Sequence, residues 1–122
     1  MARVFASALI VASALLFTGA SSQAPRPARR ILIEAERFNF TPSRVKLRVG
    51  DDVEFVLRSA DTSHGFSVDG TDIDLEIPKR GKGDAVVRFT AATPGTFAFE
   101  CDRMCGAGHA FMRGEIIVDE RK

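Results

Sequence analysis

From Ile31 onward the chain alternates apolar and polar side chains with a period of two, the repeat of a strand with one face in a core and one in water. Ile31, Ile33 and Ala35 alternate with Leu32, Glu34 and Glu36. Val45, Leu47 and Val49 alternate with Arg44, Lys46 and Arg48. After a Gly50-Asp51-Asp52 turn, Val53, Phe55 and Leu57 alternate with Glu54, Val56 and Arg58, so these two runs read as hairpin-related or sheet-crossing strands. Shorter runs follow at Phe66 and Val68, at Ile73, Leu75 and Ile77 before Pro78, and at Ala85, Val87 and Phe89. Phe97 and Phe99 lead into Cys101, and Gly114 to Val118 reads as a closing strand. Between Phe38 and Pro42 the chain is extended or turning, with Phe38 and Phe40 on one side. Thr93-Pro94-Gly95-Thr96 sets Pro before Gly, as in a type II turn. No window carries a helical period. About eight short strands separated by turn residues predict an all-β fold, an antiparallel Greek-key β-sandwich. Ten Phe with no Trp or Tyr predict a core dominated by phenylalanine.

Ahead of this pattern the composition changes twice. Arg3 is followed by an apolar run from Val4 to Phe17 and then by small residues, Thr18-Gly19-Ala20-Ser21-Ser22, which is the plan of a secretory signal peptide. The run is short for a membrane span of roughly 20 residues, so membrane anchoring is expected only if this segment stays uncleaved. Residues 25–30, with Pro25, Pro27 and three arginines, read as a flexible linker. The expected organisation is therefore a signal peptide over 1–24, a linker over 25–30 and one domain over 31–122, with the product exported to the periplasm or the extracytoplasmic face of a membrane. A chain of 122 residues, 45% apolar and 27% charged, suits one such domain with a real core. Apart from Arg3 it carries 16 basic and 16 acidic residues, a balance that argues against a general nucleic-acid binder.

The chemistry concentrates in residues 101–112, Cys-Asp-Arg-Met-Cys-Gly-Ala-Gly-His-Ala-Phe-Met. Both cysteines lie there, with one of the two histidines and two of the three methionines. Thiolate, imidazole and thioether suit copper better than any hard cation. Cys105, His109 and Met112, with the distant His64, reproduce the pieces of a mononuclear blue-copper site, and Cys101 is then surplus. Export makes a Cys101–Cys105 disulfide the default alternative. That bridge would close a very small loop and stabilise little, and it has no use for His109 or Met112. Met112 has a plainer reading as a core methionine packed near Phe111 and Ile116. Met104 reads as a packing or rim residue.

The run Cys-x-x-x-Cys-x-x-x-His-x-x-Met, with Asp61-Thr62-Ser63-His64-Gly65-Phe66-Ser67-Val68 upstream, resembles the binuclear copper (CuA) domain of cytochrome c oxidase subunit II and the similar domain of nitrous oxide reductase. Phe40-Thr41-Pro42, Val49-Gly50-Asp51 and the stretch from Thr93 to Cys101 are similar to the cupredoxin scaffold of that family. The resemblance implies two copper ions bridged by Cys101 and Cys105, one capped by His64 and the other by His109. It implies weak ligation by Met112 and by the main-chain carbonyl of Arg103. The family's residue at that position is acidic or aromatic, so Arg103 is a departure that sets a cation beside the centre. The family's aromatic electron-transfer residues and its preceding transmembrane hairpin have no counterpart here. Asp61 and Asp102 are candidates for orienting the imidazoles.

Three functions compete on these residues. The first is an electron-transfer module, not an enzyme by itself, serving an oxidase-like or reductase complex. Its redox partner would be a c-type cytochrome or a terminal oxidase or reductase. The second is a carrier binding one copper on the same scaffold and exchanging it with a copper donor or acceptor protein. The third, a thiol–disulfide reductant of the Sco type, calls for a βαβ pattern that the periodicity does not contain.

Overall fold

The computed structural model describes residues 19, 29–103, 106 and 111–120. The expected leader apart from Gly19, most of the expected linker, and Met104, Cys105 and His109 lie outside the described residues. Nine strands are present among the described residues: β1 (Arg29–Glu36), β2 (Asn39–Thr41), β3 (Arg44–Arg48), β4 (Asp52–Ser59), β5 (His64–Val68), β6 (Asp74–Ile77), β7 (Ala85–Thr90), β8 (Gly95–Glu100) and β9 (Arg113–Asp119). They form a four-stranded sheet in the order β2-β1-β4-β7 and a five-stranded sheet in the order β3-β9-β8-β5-β6.

The period-two pattern fixes which side chains meet between the sheets. Ile33, Ala35, Phe40, Val53, Phe55, Leu57 and Phe89 come from the four-stranded sheet, and Val45, Leu47, Phe66, Val68, Ile77, Phe99, Ile116 and Val118 from the five-stranded one; all are buried. The expected phenylalanine core is present. Phe66 lies at its middle, with ring centroids 5.9 Å from Phe40, 6.4 Å from Phe55 and 5.2 Å from Phe99. Tilted and edge-on rings of this kind favour their neighbours beyond the apolar area they bury.

Four details depart from the sequence expectation. The ninth strand, β2, is three residues long, with Phe40 turned inward and its neighbours exposed, too short to register as a period. Strand β1 starts at Arg29, two residues ahead of the apolar pattern, because Arg29 and Arg30 pair with Val53 and Glu54. The sandwich is not wholly antiparallel, since β1 pairs with β4 and β3 with β9 in parallel register. The cause is the crossing of β3 and β4 between sheets, which leaves the second edge of β1 to a strand that follows a crossover. Finally, Gly95 opens β8 at φ 146°, away from the value near 80° of a type II turn.

This arrangement positions the ligand loop. Strands β8 and β9 are antiparallel neighbours, so residues 101–112 connect adjacent strands at one end of the sandwich. The Cys101 amide donates to the Met112 carbonyl at 3.1 Å and closes the base of that connection.

Candidate metal centre

His64 is the first residue of β5, opposite Ile77 of β6, and its side chain is fully buried. Its Nε2 lies 2.7 Å from Asp61 Oδ1. Asp61 is itself fixed: the Arg37 amide donates to its Oδ2 at 2.9 Å, and its own amide donates to Ser59 Oγ at 3.1 Å. Ser59 Oγ also donates to the Thr62 carbonyl and so pins the loop that presents the imidazole. Burial pushes the Asp61 carboxyl up, but the Arg37 amide, the His64 ring and the Thr62 amide outweigh it and hold the group below its ordinary range. An ionised carboxylate only accepts, so Nε2 carries a proton, and in the neutral ring that a metal requires the lone pair is on Nδ1. His64 Nδ1 is buried and has no hydrogen-bond partner among the described residues. Such an orphaned atom is costly in an apolar interior unless something binds it.

The second part of the cluster is one residue away. The Gly65 amide donates to Cys101 Sγ at 3.4 Å, and the thiol lies 3.2 Å from the Arg103 carbonyl oxygen. Gly65 permits this contact. A Cβ there would sit 1.9 Å from Asp102 Oδ1 and 3.0 Å from the Arg103 amide nitrogen, so only glycine lets the chain after Cys101 cross β5 so closely. Met112 is fully buried at the other end of the loop. Phe111 is 84% exposed, while Ile116, the other neighbour in the plain reading of Met112, is fully buried with it in the core, so the burial of Met112 suits a core methionine as well as a ligand. Farther along the loop, Gly106 at φ 144° lies against the Phe38 ring and Arg37, where a Cβ would come within 2.9 Å of the ring.

Arg103 divides between two roles. Its carbonyl faces the Cys101 thiol while its guanidinium lies 3.5 Å from Glu76, 3.7 Å from Asp74 and 4.0 Å from Asp102. The cation that the sequence sets beside the centre is thus shared among three carboxylates. Burial, with the Asp74 carboxylate beside it, raises the Asp102 carboxyl above its ordinary value. Of the two orienting candidates, Asp61 holds His64 and Asp102 pairs with Asp74 and Arg103 instead.

His64, Cys101, the Arg103 carbonyl and Met112 are therefore gathered at one end of the sandwich. No group of three or more His, Cys, Asp or Glu converges among the described residues, which exclude Cys105 and His109. A soft thiol, a buried lone pair on imidazole, a carbonyl and a thioether form a donor set that fits copper. The sequence missed Ser59 and the Arg37 amide, and it carried Gly65 as part of the run around His64 without its packing role. A glycine directly after a candidate ligand was the one available signal.

A family model of the cupredoxin-like domain matches residues 9–118. Over 91 residues, 74% of its length, the chain is 34% identical to a cytochrome c oxidase subunit 2 of Thermus thermophilus, and it spans 65% of that relative. It spans 52% of a second subunit 2 from the same species, again at 34% identity. A cryo-EM structure of a heme-copper terminal oxidase dimer contains a chain with 28% identity and a TM-score of 0.66, covering 75% of this chain and 65% of that one. The periplasmic domain of subunit II of cytochrome oxidase of Bradyrhizobium japonicum superposes with a TM-score of 0.69 at 19% identity, covering 80% of this chain and 88% of the domain, a likeness of fold.

Proposed function

This chain belongs to the cupredoxin-like domain family and is related to cytochrome c oxidase subunit II, and from that premise we propose that it is an extracytoplasmic copper protein that transfers electrons through a binuclear CuA-type centre. The proposed ligands are His64, Cys101, Cys105, His109 and Met112, with the carbonyl of Arg103. One observation carries the reading: His64 is fully buried, held by Asp61 through Nε2, with Nδ1 lacking a partner among the described residues, and the next residue, Gly65, donates its amide to the Cys101 sulfur. A structural histidine in a core would have both nitrogens engaged.

The chain's own residues then have separable tasks. Asp61 fixes the imidazole tautomer and orientation. The Gly65 amide donates to the Cys101 sulfur, and hydrogen bonds of this kind to a ligand sulfur tune a copper potential. The β8–β9 connection is closed at its base by the Cys101–Met112 main-chain bond, so its two ends cannot drift apart when charge changes. Asp74, Glu76 and Asp102 draw the Arg103 charge away from the thiol. Copper bound there would supply one-electron redox chemistry, delocalised over two ions if both thiolates bridge them. The redox partner on this reading is a c-type cytochrome or a terminal oxidase or reductase.

Copper stoichiometry with electron paramagnetic resonance tests the reading. Two coppers per chain and hyperfine structure from one electron shared by two copper nuclei are expected. Cys101→Ser is expected to leave a mononuclear centre on Cys105, His64, His109 and Met112. A single diamagnetic copper that passes readily to an apo-acceptor would replace electron transfer with the carrier function. Unchanged stoichiometry and spectrum in Cys101→Ser would remove the bridging thiolate.

A further inference from the structure

The outer face of the four-stranded sheet carries an ordered pattern that the copper site does not use. Leu32, Val56 and Val86 are in register across β1, β4 and β7. They point away from the core, and Leu32 and Val86 are 46% and 50% exposed. This apolar row lies between two charged rows. On one side, Arg30, Glu54 and Arg88 are in register, reading plus, minus, plus. On the other, Glu34 is in register with Arg58, and Arg58 binds Asp84 through both guanidinium contacts at 2.9 Å, reading minus, plus, minus.

We propose that this face pairs two copies of the chain about a two-fold axis lying along the Leu32–Val56–Val86 row. Rotation about that axis lays the apolar row on itself and exchanges the two charged rows. Arg30 then faces Glu34 of the second copy, Glu54 faces its Arg58, and Arg88 faces its Asp84. All three contacts are complementary, and each occurs twice. A two-fold axis along the strands would set Arg30 against Arg88 and Glu34 against Asp84, which is repulsive at both pairs. One packing orientation is thus selected by charge. Face-to-face sheets of this kind cross at about 30°, so rows three residues wide still meet.

The size of the face sets the strength. Three strands about 4.8 Å apart and three rows about 7 Å apart cover roughly 300 Å² per copy, well under half the ~800 Å² of a standard interface. The dimer is therefore weak, with a dissociation constant on the order of 10⁻⁴ M. Because the axis runs across the strands, the two copies point in opposite directions. Arg58 is followed by Ser59 and the loop that holds His64, so the two copper-loop ends lie at opposite ends of the pair and both stay open.

Sedimentation velocity on the chain as produced in vivo, from about 10 µM to about 1 mM, tests this at concentrations that bracket the expected constant. A reversible monomer–dimer equilibrium is expected. Glu54→Arg and Arg58→Glu each place like charges at both symmetric contacts, and each alone should dissociate at least about tenfold more readily. Mixed in equal parts, the two variants restore opposite charges at both contacts, and the mixture should associate as wild type does. Thermal melts of each variant report folding; if either fails, Arg30→Glu with Glu34→Arg makes the same exchange at the edge of the face. A wild-type chain that stays monomeric at ~1 mM overturns the proposal. So does a mixture of folded variants that associates no better than its separate components.

Discussion

The loop end of the sandwich and the outer face of its four-stranded sheet treat polar groups in opposite ways. On the outer face, Arg30 binds Glu54, Arg58 binds Asp84, and Arg88 binds Asp52, all in water and all with their partners at 2.6–2.9 Å. At the loop end, His64 is fully buried, one nitrogen is held by Asp61, and the other has nothing among the described residues to bind. Exposed pairs exchange water for each other and gain little, whereas an orphaned buried nitrogen is a standing cost. The difference separates polarity that decorates a surface from polarity held ready for a ligand. It also implies that single substitutions should be severe at the loop end and mild on the sheet face.

Gly65→Ala is expected to have the largest effect of the single substitutions considered. Its methyl would collide with Asp102 Oδ1 and crowd the Arg103 amide. A side-chain oxygen can swing aside, but the main chain after Cys101 must shift, and with it the amide-to-sulfur bond and the Arg103 carbonyl. Overpacking of this sort costs about 1–3 kcal/mol. A fall in melting temperature of the metal-free chain, together with an altered copper absorption spectrum, is expected. A variant with wild-type melting and an unchanged spectrum would mean that the 101–103 segment is not held by its crossing of β5.

The same contrast explains what the sequence makes legible. Period-two alternation identifies the inward-facing apolar residues of the longer strands, because a strand with one face in water has no other stable arrangement, but not Phe40 in the three-residue β2. Parallel pairing of β1 with β4 left no such trace, since register along a strand says nothing about its neighbour's direction. The ligand types and their spacing were legible because few residues are soft donors. The Asp61 contact was legible only as a candidate, and Ser59 not at all. A hydroxyl that holds a loop carbonyl looks, in a sequence, like any other polar residue at a strand end. Arg103 reads as a bare cation beside the centre until the fold brings Asp74 and Glu76 of β6 to it from nearly thirty residues away.

Asp61→Asn probes the open nitrogen more finely. Both oxygens of Asp61 accept: Oδ1 from His64 Nε2 and Oδ2 from the Arg37 amide. An asparagine has one oxygen. If it serves His64, its NH₂ confronts the Arg37 amide. If it serves Arg37, its NH₂ faces Nε2, forces the proton to Nδ1 and removes the lone pair intended for the metal. Loss of such an orienting group typically weakens metal affinity about 10–100-fold. Copper competition titration measures it, and an affinity within about twofold of wild type would detach Asp61 from the centre.

Asp52 tests the mild half of the comparison. Its carboxylate takes both contacts from Arg88, at 3.0 and 2.6 Å, and a weaker one from Thr90. The Arg88 hydrogen bond, helped by the Arg88 charge and Thr90, outweighs desolvation and lowers the carboxyl below its ordinary 3.8. A depressed folded-state value means that any contribution is fully present above pH 3.8 and fades as the pH falls below it, where the unfolded chain takes up its proton first. Asp52→Asn should therefore melt close to wild type at pH 7, and the small gap should close in acid rather than widen. Melting both proteins at about 10 µM, where the proposed dimer is dissociated, isolates this pair from the contacts of the face. A gap that grew below pH 3.8 would contradict the sign of the shift, and a large gap at pH 7 would give this exposed pair the weight assigned only to the buried end.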